Sequence, residues 1–155
     1  MIDRFEKFSL AIWEISRYWN KIASDEMAKY GLKAPFAVYF TSMARLEEGI
    51  TAAKLAELCS RDKAEVSRAL SLMEQKGLVR RDSAHSQYRA LIKLSEEGKK
   101  LSAVITEKAM LAVELGGKGL SDEQRQTFYD ALELITANLR RVSCQGLETE
   151  EVNEC

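Results

Sequence analysis

Lys63, Ala64, Ser67, Arg68 and Ser71 follow one another at steps of one and three, and the intervening Val66, Leu70 and Met73 are apolar. At helical periodicity the two sets lie on opposite faces, one suited to a core and the other small and basic. Small side chains such as Ala64 and Ser67 let a helix lie close to base edges in a major groove. Lys63 and Arg68 are long enough to reach a guanine edge or a phosphate. Any solvated helix can carry such a face, so the elements around it must decide.

Other chemistries find few residues. His85 is the single histidine, which leaves a His-dependent triad or a multi-His metal site without partners. It reads as a solvated loop residue, with a minor role near a phosphate or a minor-groove edge as the sharper option. Cys59, Cys144 and Cys155 are odd in number and lack a CxxC spacing, so neither a disulfide framework nor a zinc site is indicated. Cys59 ends an apolar segment, where a small buried residue fits better than a redox sensor. No cofactor, no metal and no enzymatic activity are expected.

The 155 residues carry a net charge of -1, which argues against a protein that coats nucleic acid indiscriminately. The charge is unevenly spread. Residues 51–93 hold nine Lys/Arg and five Asp/Glu, a net +4, which leaves 14 basic against 19 acidic residues, or -5, elsewhere. A basic centre between acidic flanks suits a molecule that sets one surface on phosphates. The opening Met1-Ile2-Asp3-Arg4 lacks a signal-peptide layout, and no stretch approaches the roughly 18 apolar residues of a membrane span, so a cytoplasmic location is expected.

With Pro35 the only proline, long helices are expected. Asp3 and Glu6 have capping-box spacing, and Phe5, Phe8, Ile12, Ile15, Trp19 and Ile22 behind them recur at three and four, a seam long enough to leave room for a partner subunit. Gly31 ends this helix. Pro35 opens a second, with Phe36, Tyr39, Phe40 and Met43 on one side, and Glu48-Gly49 stops it. Thr51 caps a short helix carrying Leu55 and Leu58. After a turn at Cys59-Ser60-Arg61, Asp62 and Glu65 box the start of the helix Lys63–Lys76.

Gly77 closes that helix, Leu78-Val79-Arg80-Arg81 reads as a strand, and Tyr88, Ala90, Ile92 and Leu94 alternate as its return, with Asp82–Gln87 the hairpin tip. Ser95 caps a helix that runs toward Gly116-Gly117. Ser121 and Gln124 open a last one, in which Phe128, Leu132, Ile135, Leu139 and Val142 repeat the N-terminal spacing. Two short helices, a tight turn and a hairpin, in that order, describe a winged helix-turn-helix. The fold expected is thus mainly α with a small β-hairpin wing.

The sequence resembles the MarR family of bacterial transcription regulators through Gly49-Ile50-Thr51, Lys54-Leu55-Ala56-Glu57-Leu58, Glu65-Val66-Ser67-Arg68, Glu74-Gln75-Lys76-Gly77-Leu78-Val79-Arg80-Arg81 and Leu94-Ser95-Glu96-Glu97-Gly98. The resemblance covers nearly the whole chain. It implies a homodimer that binds a palindromic DNA operator, by default as a repressor, with residues 1–30 and 95–143 as dimerisation helices, residues 31–94 as the DNA-binding lobe, and 144–155 as an acidic tail. On that reading Thr51, Lys63, Ala64, Ser67, Arg68, Ser71, Arg81, His85, Gln87 and Arg89 face DNA. Arg89 matches the family's wing arginine, whereas Gln87 stands where the family has aspartate. Family members are often released by small aromatic effectors, and by position Trp13, Arg17, Tyr39 and Met43 would line such a site. The competing class is a winged-helix module that uses the basic face for an acidic protein partner.

Overall fold

The computed structural model describes residues 2–82 and 90–147. In chain order the elements are α1 (Ile2–Ala28), α2 (Phe36–Ala44), α3 (Ala52–Leu58), α4 (Lys63–Gln75), β1 (Val79–Arg81), β2 (Ile92–Leu94), α5 (Glu96–Gly116) and α6 (Asp122–Gln145). The chain forms two compact units divided between Ala112 and Val113.

The first unit is built on one apolar core. Phe40, Leu55, Val66, Leu70 and Met73 are completely buried there, joined by Tyr39 of α2 and Ile92 of β2. The helical spacing read from the sequence for α2 and α4 is what places these side chains together. Met27 of α1 and Ile105 of α5 belong to the same core, so it extends past residues 31–94 into both flanking helices. Leu58, read as a companion of Leu55, is instead exposed at the end of its short helix.

Three helices stop in the same way, with the residue after the cap in the left-handed region and a six-to-one backbone bond behind it. Leu32 N donates to Met27 O, Arg61 N to Ala56 O and Leu78 N to Met73 O. Gly31 and Gly77 provide positive φ at two of these turns, and at the third, between α3 and α4, Ser60 adopts φ +51°. The cost of a Cβ there is accepted in the turn that aims α4.

The strands pair antiparallel, Val79 with Leu94, Arg80 with Lys93 and Arg81 with Ile92. Ile50 adds a bridge to Ile92, exchanging bonds of 3.0 and 2.9 Å. A single bridging residue leaves no alternation to read in the sequence. Ser95 then fastens α5 to the end of α4: its Oγ donates to Gly77 O at 2.6 Å and accepts from Gly98 N at 3.0 Å. Deeper in, Ser102 Oγ is buried and donates to Phe40 O at 3.1 Å.

Two expected capping boxes take another form. Asp3 lies inside α1 and its carboxylate pairs with Lys7 one turn on, because the helix already includes Ile2. Asp62 does cap α4, accepting from Ala64 N and Glu65 N, but Glu65 turns away from the box toward Tyr39 and Arg61. The box at Ser121 and Gln124 is complete.

In the second unit α6 has no buried residue, and Phe128, Tyr129, Leu132, Leu134 and Leu139 are exposed along it. Arg125 is held by Glu114 at 3.4 Å. On α1, the Phe5, Phe8, Ile12, Ile15, Trp19 and Ile22 seam is likewise exposed within one chain.

Candidate nucleic-acid interface

The helix-turn-helix is α3, the Ser60 turn and α4. Thr51 Oγ caps α3 by accepting from Lys54 N at 3.2 Å, which leaves its hydroxyl proton free to donate outward. Asp62 performs the same service for α4 with two bonds of 3.0 Å. A capping carboxylate occupies the positive end of that helix, so a phosphate approaching α4 must be met by side chains.

Those side chains are in place. Lys63, Ala64, Ser67, Arg68 and Ser71 are all exposed, while Val66, Ala69, Leu70 and Met73 turn into the core. Ser71 Oγ is turned back to Ser67 O at 3.0 Å, so it faces outward as an acceptor. Lys63 and Arg68 form no ion pair among the described residues.

The first turn of α4 is braced from beneath. Glu65 accepts from the Tyr39 phenol at 3.3 Å and lies 3.7 Å from the Arg61 guanidinium. Burial, followed by the Glu65 charge, holds the Tyr39 pKa above its ordinary value, so the phenol keeps its proton for this bond at neutral pH. The brace joins the α2 core face to α4, a link that linear spacing does not reveal.

Arg81 differs from the other expected DNA residues. Its Nε donates to Glu74 Oε2 at 2.9 Å, and its side chain is only 28% exposed. Arg80 and Lys93, absent from the expected set, face each other across the ladder and with Arg81 and Asp82 line a polar groove at the wing base. Like charges directly opposed in a sheet cost stability, so this pair adds positive potential at a local expense. His85, Gln87 and Arg89 lie outside the described residues.

A second feature of the first unit is an apolar cleft of about 150 Å³, lined among others by Trp19, Tyr30, Val38, Thr41, Arg61 and Lys108. None of the four expected effector residues lines it. Tyr39 and Met43 are buried in the core, and Arg17 lies over the rings of Trp13 and Tyr18 at 5.4 and 5.7 Å. All four thus lie on α1 and α2, and it is other residues of these two helices that line the cleft.

Comparison with known proteins agrees with this architecture. No family model matches the chain, and no curated protein sequence matches it significantly. Solved structures do. A protein from Listeria monocytogenes described as a MarR family transcriptional regulator, complexed with 26mer DNA, superposes with a TM-score of 0.76 at 21% identity over 91% of this chain and 96% of its own. A MarR transcriptional regulator from Methanosarcina mazei Go1 gives 0.77 at 23% identity, covering 88% and 92%. The MepR–DNA complex of S. aureus gives 0.75 at 20% identity, covering 85% and 97%. The chain therefore has the winged helix-turn-helix fold of the MarR-type transcriptional regulators. No described helix is long and apolar enough to cross a membrane.

Proposed function

We propose that this chain is a sequence-specific DNA-binding transcription regulator, acting in the cytoplasm as a homodimer on a palindromic operator, with repression as its effect. The observation that carries this reading is the division of α4: one face is sealed in the core, and Lys63, Ala64, Ser67 and Arg68 are exposed on the other, with neither cation in an ion pair among the described residues. Two similar folds were solved with DNA, which supports the same assignment. Thr51 and Ser71 are assigned to the same surface, and Arg89, Gln87 and His85, outside the described residues, are assigned to DNA from the sequence alone.

The homodimer is supported by the two uncovered seams, on α1 and on α6, each apolar over most of a long helix. Exposed apolar surface of that extent on a soluble chain marks an interaction surface. Residues 1–30 and 95–143 are accordingly assigned to dimerisation and 31–94 to DNA reading, with 144–155 as the acidic tail.

The cleft beside Trp19 is assigned to a small effector. Its size matches cavities that accept one aromatic ring, and Arg61 and Lys108 against the single carboxylate of Glu26 leave its lining cationic on balance, which suits an aromatic carboxylate. Salicylate as a probe should quench Trp19 fluorescence, and Arg61→Gln should weaken that response.

The direct test is fluorescence anisotropy with labelled duplexes. Binding that falls steeply with salt, together with a preference for some duplexes over competitor DNA, is the expected result. A protein that binds no duplex at micromolar concentration, yet captures acidic proteins, would instead be the interaction module.

A further inference from the structure

Arg81 has the residue type and position of a phosphate contact, yet its guanidinium is already engaged. Nε donates to Glu74 Oε2 at 2.9 Å, between side chains 28% and 42% exposed. Glu74 belongs to the last turn of α4 and Arg81 ends β1, with the Gly77 turn between them. Their bond therefore crosses from the reading helix to the base of the hairpin.

The other hydrogen bonds at this joint end on backbone atoms of the turn and of the hairpin. Ser95 holds Gly77 O, Ser95 N donates to Leu78 O, and Asp82 N donates to Leu91 O within the hairpin. Among the described residues, Glu74 to Arg81 is the one side-chain bond directly between α4 and β1. Arg80 and Lys93 sit alongside in the ladder, and neither forms an ion pair among the described residues, so the wing base has cations to spare while Arg81 is committed to the helix.

We infer that Arg81 is a positioning residue and not a DNA contact, and that its ion pair with Glu74 fixes the angle between reading helix and hairpin and so sets operator preference. The inference rests on the DNA-reading assignment above. It makes an expectation of unusual sign. An unpaired carboxylate on a helix that approaches DNA repels phosphates, so removing it should tighten binding. If Glu74 instead orients the wing, removing it weakens binding to the preferred site.

The experiment measures affinity for two duplexes across a salt series, one enriched from a random pool by the wild-type protein and one of scrambled sequence, at a temperature where every variant is folded by circular dichroism. Arg81→Ala and Glu74→Gln should each lose about threefold to fivefold on the enriched duplex, the range set by a half-exposed ion pair. Both should leave the scrambled duplex and the salt slope unchanged. The exchanged pair Glu74→Arg with Arg81→Glu should recover most of the preference. A salt slope lowered by about one in Arg81→Ala, with tighter binding by Glu74→Gln, would make Arg81 a phosphate contact and overturn the inference. Unaltered affinities in all variants would overturn it as well. A wild-type protein that enriches no sequence would remove the DNA-reading assignment itself, and this inference with it.

Discussion

Gly98 in the first turn of α5 lies so close to the Leu78 carbonyl oxygen that a Cβ on residue 98 would overlap it. The obstacle is backbone, which cannot rotate aside as a side chain can. It is the same carbonyl that accepts from Ser95 N, so helix α5 is seated directly on the turn that follows α4. Gly98→Ala should therefore destabilise the protein by about 2–3 kcal/mol, as forced overpacking does. Urea unfolding monitored by circular dichroism measures this, and an alanine variant within error of wild type would mean that α5 can lift off the turn freely.

The turn between α3 and α4 makes the opposite case. Ser60 holds φ +51°, a conformation that costs an L-residue about 1–2 kcal/mol. Ser60→Gly relieves that strain but adds unfolded-state freedom, for a net gain of about 0.5 kcal/mol. Ser60→Val should lose roughly 1–2 kcal/mol because a β-branched residue tolerates positive φ least. The order of urea midpoints, glycine above serine above valine, is the check.

Much of the fold was legible because local rules and core packing agree here. Thr51, Asp62 and Ser121 cap the helices their positions implied, and the Val66, Leu70 and Met73 face is as buried as its spacing required. What stayed hidden depends on contacts between distant residues. Glu65 was assigned to its own helix start, and in the fold it answers to Tyr39, which is 26 residues away. Arg81 looked like a free cation because its partner Glu74 lies across a turn, and the Ile50 bridge consists of one residue pair. The cleft is hidden for a similar reason: Trp19 and Arg61, 42 residues apart in sequence, line one cavity only in the folded chain.

On α4, Arg68 and Lys63 should separate in behaviour. Arg68→Ala is expected to cost about 1–3 kcal/mol on the preferred duplex and to relax preference at one or two positions, as the loss of a base-edge contact does. Lys63→Ala should weaken all duplexes evenly and lower the salt slope by about one. Equal losses by both variants on preferred and scrambled DNA would show that α4 meets only phosphates.

The exposed seams set an expectation for assembly. Ile12→Glu on α1 and Phe128→Glu on α6 each place a charge within an apolar row, and burying an unpaired charge at an interface is strongly unfavourable. The wild type is expected to sediment as a dimer and each variant as a monomer at the same concentration, and removal of residues 1–22 should have the same effect. A truncated protein that remains dimeric would locate the interface elsewhere.

Whether two copies of α4 read DNA bases in register is decided by selecting bound sites from a pool of random duplexes. Two half-sites related by inverted symmetry are expected, with centres about one helical turn, roughly 10 base pairs, apart. Enrichment should disappear with Arg68→Ala. A pool that emerges with no common sequence, or with a single asymmetric element that Arg68→Ala leaves untouched, would contradict the account.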